Sequence, residues 1–158
     1  MIQHLGVVSV LETGTSLGLN TLYLAESNSQ VATIEGCPSI AKLAKDNFDQ
    51  FSRKNPRLAI GKIRDILEQE ILINRPDFYF LDADHRSAEV LFCLNLIMKH
   101  TPKAKCIVIH DIYWSPDMRK LWNSIIKDTR FNLTIDLFQA GLIFLNHPIE
   151  KQHFTLRF

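Results

Sequence analysis

The chain has 158 residues, enough for one domain with a sizeable core, since domains commonly run to roughly 100–150 residues. A composition of 46% hydrophobic and 22% charged residues, with Gly 6 and Pro 6, excludes collagen-like, low-complexity and disordered classes. Lys+Arg 18 against Asp+Glu 17 gives a formal net charge of +1, so charge predicts neither a nucleic-acid footprint nor attraction to an anionic membrane.

In chain order, short β-rich runs alternate with longer segments of helical period. Val7–Leu11, Val31–Glu35, Leu58–Ile60, Phe78–Asp82 and Cys106–Asp111 are expected as strands buried on both faces. Pro38 opens a helix whose Ala41, Ala44, Phe48 and Phe51 are expected to face inward, and Pro102 helps stop a helix from about Ser87 to His100. Ser115-Pro116-Asp117 supplies an N-cap hydroxyl, a proline at the first helical position and an early carboxylate. Met118, Leu121, Trp122, Ile125 and Ile126 then follow at one-face spacing. After the fifth unit the pattern changes: Asn132–Phe138 and Leu142–Asn146, broken by Gln139-Ala140-Gly141, are expected as an antiparallel hairpin, and His153–Arg157 as a short further strand. The expectation is a single α/β domain over residues 1–158, with a mostly parallel open sheet, helices on both faces and a C-terminal antiparallel hairpin.

Cys37, Cys93 and Cys106 are odd in number, far apart and form no CxxC, which suits a reducing cytoplasm better than a disulfide framework. No stretch approaches the roughly 18 uninterrupted apolar residues of a membrane span, and the N-terminus lacks the pattern of a signal peptide.

Open α/β sheets bind ligands outside the carboxyl ends of their strands. There the sequence places Glu12-Thr13-Gly14-Thr15-Ser16-Leu17-Gly18, then Glu35-Gly36, Arg64-Asp65, Asp82-Ala83-Asp84-His85 and His110-Asp111. The glycines of the first turn let the backbone bend sharply and approach a ligand, and the following helix is expected to direct free N–H groups at it. A dinucleotide site would want G-x-G-x-x-G, but Glu12 occupies the first glycine's place, which weakens a nicotinamide dehydrogenase reading. A pyrophosphate beside Glu12 would be repelled, whereas a cationic ligand would not. Glu35 follows Gly18 by 17 residues, close to the interval at which an acidic residue accepts hydrogen bonds from ribose. The ligand suggested is a nucleoside joined to a cation.

S-adenosylmethionine fits that description, and the chain resembles class I methyltransferases. Val10–Leu24 looks like their first motif and Ala32-Thr33-Ile34-Glu35 like their ribose-binding second motif. Phe78–His85 resembles the fourth-strand motif of the O-methyltransferases related to the catechol and caffeoyl-coenzyme A enzymes. Ile109–Ser115 with Met118 and Trp122, then Ile135–Phe138 and His153–Phe158, look like a bacterial branch such as that of Bacteroidetes. The resemblance implies a Rossmann-like fold, S-adenosylmethionine as cofactor and a small-molecule acceptor methylated on oxygen. It implies that Gly14, Thr15, Ser16 and Gly18 wrap the methionine end, with Glu12 near its amino group. Glu35, followed by Gly36, would hold the ribose, Arg64 and Asp65 would flank the adenine, and Asp82 would lie beside the sulfonium.

On the acceptor side the resemblance implies a divalent metal, Mg2+, on Asp82 and Asp111, but Ile112 falls where the third ligand belongs and cannot ligate. His110 would substitute only if the strand end twists, because neighbouring strand residues point to opposite faces. His85 falls where relatives carry a lysine thought to act as base, and a histidine can take a hydroxyl proton near neutral pH. The plainer reading has it cap the next helix or bind Asp84. Asp82, His85 and Asp111 are the catalytic candidates.

Tyr113 and Trp114 suit either acceptor stacking or packing of the fifth loop, Trp122 suits the core, and His4, His100, His147 and His153 show no ligand spacing. Cys37 suits a small residue of the adenosine pocket, with nothing nearby to lower its pKa. The alternative function is a cofactor-binding module that is silent alone and needs a missing segment or partner. The resembled families carry N-terminal helices before the first strand. Their lack in this sequence leads to the expectation of exposed apolar surface and a homo-oligomer.

Overall fold

The computed structural model describes residues 1–27, 29–51, 56–145, 148 and 150–157. The elements run β1 (Ser9–Thr13), α1 (Leu19–Ala25), β2 (Gln30–Glu35), α2 (Pro38–Phe51), β3 (Arg57–Ile60), α3 (Ile63–Asn74), β4 (Phe78–Leu81), α4 (Ser87–His100), β5 (Cys106–His110), α5 (Pro116–Lys127), β6 (Leu133–Asp136), β7 (Ala140–Phe144) and β8 (Gln152–Thr155). The class is α/β, as the alternation predicts. The chain forms two compact units, 1–79 and 80–158, with the boundary inside β4.

In the first unit β1 is buried at every position and pairs in parallel with β2, which pairs in parallel with β3. The register sets Glu12 opposite Thr33. Asp77 fixes where β1 starts, its Oδ1 accepting from the Val8 and Ser9 N–H groups at 3.0 and 2.9 Å. Val8 therefore precedes the ladder and is 66% exposed, a correction to its expected place in a buried strand. β3 is also less buried than expected: as the edge strand it exposes Arg57 and Ile60, and the Arg57 guanidinium pairs with Glu70 of α3. Ala41, Ala44 and Phe48 of α2 face the core, but Phe51, the last residue of that helix, is exposed.

In the second unit α4 buries Val90, Cys93, Leu94 and Ile97, one helical stripe. α5 begins as its sequence predicts, with the Ser115 hydroxyl accepting from the Met118 N–H at 3.1 Å and Pro116 in the first turn. β7 pairs antiparallel with both β5 and β6, so the hairpin is present, and β8 pairs in parallel with β6. The hairpin's turn differs from expectation: Ala140 and Gly141 belong to β7, and Phe138 carries the left-handed φ of 71°. Gly141 is required for space, since a Cβ there would lie 2.5 Å from Trp122 Cζ3, and Trp122 is core as expected. Asn146, His147 and Phe158 of the sequence expectations lie outside the described residues.

Candidate functional site

In the first unit two carboxylates, Glu12 and Glu35, are each held by several donors. Glu12, fully buried on β1, accepts at 2.7 Å from Asn20 Nδ2, from the Thr21 hydroxyl, and at 2.7 Å from the Thr33 hydroxyl. Thr15 and Thr33 hydroxyls lie 2.7 Å apart. Three neutral donors from α1 and β2 thus satisfy a buried carboxyl group, and Thr33 links it to Thr15 of the loop. The loop itself holds a left-handed conformation at Gly14 (φ 91°), Ser16 (φ 50°) and Gly18 (φ 81°). A Cβ at Gly18 would fall 2.4 Å from Phe48 Cε1, so only glycine lets the loop close on α2.

The loop's N–H groups are not the free set that the sequence suggests. Gly14 and Thr15 donate to the Ile34 carbonyl at 3.0 and 3.3 Å, and Gly18 to the Thr15 carbonyl at 2.8 Å. Ser16 donates to Glu35 Oε2 at 2.9 Å, and Cys37 donates to Glu35 Oε1 at 2.9 Å. Glu35 is half-buried and fixed by one N–H on each oxygen, which leaves further lone pairs to accept from a ligand. Gly36 is exposed beside it. Arg64 and Asp65, expected in a loop, stand instead in the first turn of α3 and are exposed. The Cys37 thiol is held below its ordinary pKa by the Ser39 hydroxyl and by backbone N–H groups of Ile40 and Ser39, contrary to the expectation that nothing lowers it.

The second unit brings together Asp82, His85, His110 and Asp111. His110 Nδ1 lies 2.9 Å from Asp82 Oδ1 and 3.5 Å from Asp111 Oδ1, without the direction of a hydrogen bond. His85 Nε2 lies 3.7 Å from Asp111 Oδ2 and 4.0 Å from Asp82 Oδ1. The strand end does twist: Asp111 follows β5 with φ 55°, its N–H held by the Gln139 carbonyl at 2.6 Å, so His110 and Asp111 both reach the cluster. Burial pushes the Asp82 carboxyl above its ordinary pKa, against the lowering effect of His110 and His85. His85 does not cap α4, whose N-cap is Arg86, and Asp84 pairs with Arg86. The His85 ring sits 5.6 Å from the Trp114 ring.

This donor set does not fit magnesium, which prefers oxygen ligands. Two imidazoles crowd the two carboxylates, and Ile112, at the expected third-ligand position, is fully buried. Among the described residues no group of three or more His, Cys, Asp or Glu is placed to hold a metal ion.

Beside the cluster opens a cavity of about 290 Å3 lined by Asp111, Tyr113, Trp114, Phe138 and Gln139. Tyr113 is held by the Asp136 carboxylate, which keeps its phenol above the usual pKa range. The sequence reading missed Asp136 and Thr33 as site-building residues. The usable signals were the aspartate two residues before Phe138, an Asx-turn spacing, and the inward register of Thr33 opposite Glu12.

Residues 11–112 match the family described as a methyltransferase domain, and the chain belongs to that family. Solved structures agree on the fold. An O-methyltransferase from Bacillus cereus in complex with SAH is 22% identical, with 91% of this chain and 76% of that chain covered and a TM-score of 0.68. An SAH-bound methyltransferase from Podospora anserina is 16% identical over 92% and 75%, with a TM-score of 0.75. The O-methyltransferase TomG from Streptomyces achromogenes, in complex with SAM and involved in tomaymycin synthesis, is 18% identical over 92% and 76%, with a TM-score of 0.73. No curated protein matches at the level of sequence.

Proposed function

We propose that the chain is an S-adenosylmethionine-dependent methyltransferase that acts on an oxygen of a small molecule, as one domain over residues 1–158. The observation that carries the acceptor chemistry is the Asp82-His85-His110-Asp111 cluster, with Asp111 and Trp114, whose ring is tilted 42° to that of His85, on the wall of a cavity. S-adenosylmethionine supplies an electrophilic methyl group on a sulfonium sulfur.

In the first unit, Glu35 accepts hydrogen bonds from the ribose hydroxyls, its carboxylate already aimed by the Ser16 and Cys37 N–H groups. Gly14, Thr15, Ser16 and Gly18 shape the methionine end, Glu12 supports them, and Gly36, Arg64 and Asp65 form the adenosine side. In the second unit, His85 takes the proton of the acceptor hydroxyl, and the Asp82 and Asp111 carboxylates stabilise the imidazolium that results. His110 stands against the same carboxylates. No step is assigned to a metal.

The fold holds exposed apolar side chains at Val8, Leu17, Leu19 and Tyr23, which support association with a second copy in solution. Light scattering tests this, and a strictly monomeric species at working concentration contradicts it. No described helix is long and apolar enough to cross a membrane. Among the described residues Cys37, Cys93 and Cys106 form no disulfide, which suits a reducing, cytoplasmic setting.

Incubation with labelled cofactor and a panel of catechols, phenols and small acids, with and without magnesium, tests the activity. The expected result is transfer to a hydroxyl acceptor that persists without magnesium. Tight cofactor binding with no transfer to any acceptor would favour a silent cofactor-binding module instead.

A further inference from the structure

Asp136, at the end of β6, is 2% exposed and accepts on its side chain from four directions. The Tyr113 hydroxyl donates at 2.5 Å, the Trp122 indole N–H at 3.2 Å, the Phe138 backbone N–H at 2.8 Å and Arg157 Nη1 at 3.1 Å. A carboxylate so surrounded stays ionised even though burial alone would push its pKa up, and the net direction is down. Charge-assisted hydrogen bonds of this kind are the strong ones, so the groups they hold are held firmly.

Two of those groups are walls of the 290 Å3 cavity. Tyr113 and Phe138 stack with ring centroids 5.6 Å apart and planes 24° from parallel. Phe138 keeps its ring there through a left-handed backbone that bulky residues rarely adopt, and the Asp136 bond to its N–H stabilises that turn. Arg157, one end of its guanidinium on Asp136, lies over the Phe138 ring at 5.6 Å, and Arg119 lies over the Tyr113 ring at 5.6 Å. The Gln139 carbonyl, next in the same turn, binds the Asp111 N–H. One buried carboxylate therefore fixes the aromatic wall, in the same turn that fixes Asp111. At the small end of the range for ligand pockets, the cavity suits a single flat ring.

We propose that Asp136 is the positioning residue of the acceptor pocket: it holds Tyr113 and Phe138 as walls of the cavity in which a flat, single-ring hydroxyl compound sits, hydroxyl toward Asp111. The inference rests on the acceptor reading above, and its test separates the two. The probe is 4-nitrophenol, whose binding is followed by quenching of tryptophan emission in wild type, Asp136→Asn, Tyr113→Phe and the double variant. SAH affinity is measured by calorimetry and folding by thermal melts on the same samples.

Wild type is expected to bind the probe, and each single variant to bind it about tenfold more weakly, as loss of a hydrogen bond to a charged group implies, with SAH affinity within about twofold of wild type. The double variant should be no weaker than Asp136→Asn alone, because the two changes break one coupled interaction. Unchanged probe affinity in folded Asp136→Asn, or additive losses in the double variant, overturns the proposal. If Asp136→Asn does not fold, Tyr113→Phe, which removes one oxygen, decides the question by the same criterion. A wild type that binds SAH but not 4-nitrophenol overturns the pocket and leaves the cofactor reading standing, and one that binds 4-nitrophenol but not SAH does the reverse.

Discussion

The carboxylates at the ends of β1 and β2 and those at the ends of β4 and β5 are matched in opposite ways. In the first pair, Glu12 and Glu35 are matched by donors that do not titrate near neutrality: an amide, hydroxyls and backbone N–H groups. In the second pair, Asp82 and Asp111 are matched by the imidazoles of His85 and His110. A carboxylate fixed by neutral donors keeps one geometry, which suits binding. A carboxylate facing histidines has a partner able to accept or release a proton, which suits acid–base work. The difference teaches that binding and proton transfer are built from the same residue type by changing its neighbours.

The largest effect should come from the first unit's buried charge. Glu12→Ala leaves Asn20, Thr21 and Thr33 without their acceptor, and unfolding in urea should show a loss of roughly 2–4 kcal/mol, from buried donors at about 1–3 kcal/mol each. A loss below about 0.5 kcal/mol, the level of an ordinary surface change, would mean that Glu12 is not a structural brace. Next, His85→Ala should lower turnover by about 100-fold with SAH affinity nearly intact, as expected for a lost general base. Equal loss of both would make His85 structural and erase the contrast. Glu35→Ala should weaken SAH binding by roughly 1–3 kcal/mol through lost charge-assisted hydrogen bonds, and unchanged affinity would remove Glu35 from the cofactor site.

Much of this contrast was legible in the sequence because it depends on local order. Ser115-Pro116 starts α5, Ser87–His100 bounds α4, and the strand-end carboxylates follow their apolar runs. What was not legible depends on register and on backbone sign. The burial of Glu12 follows from its lying opposite Thr33, 21 residues away, and a strand pattern does not announce its partner. His110 and Asp111 share a cluster because Asp111 takes a positive φ, which no residue preference at that position demanded. Gly141 invited a turn assignment, yet it is there to admit the Trp122 ring, and Phe138 takes the left-handed turn position. Phe51 fits the helical stripe but sits where α2 ends.

The smallest effect concerns pH and sharpens the comparison further. Burial raises the Asp82 carboxyl above its ordinary 3.8, so the folded state binds that proton more tightly than the unfolded chain. Relative to Asp82→Asn, wild-type stability should therefore fall as pH rises from 3.8 through the raised folded value. Thermal melts across that window check it. A wild type that instead gains stability relative to Asp82→Asn would mean that the two imidazoles outweigh burial.

The central claim, that this methyltransferase-family chain holds S-adenosylmethionine as its cofactor, is tested most directly by calorimetric titration of the protein with S-adenosylhomocysteine and, separately, with NAD. Saturable binding of S-adenosylhomocysteine and none of NAD is the predicted result. Binding of NAD alone would contradict it.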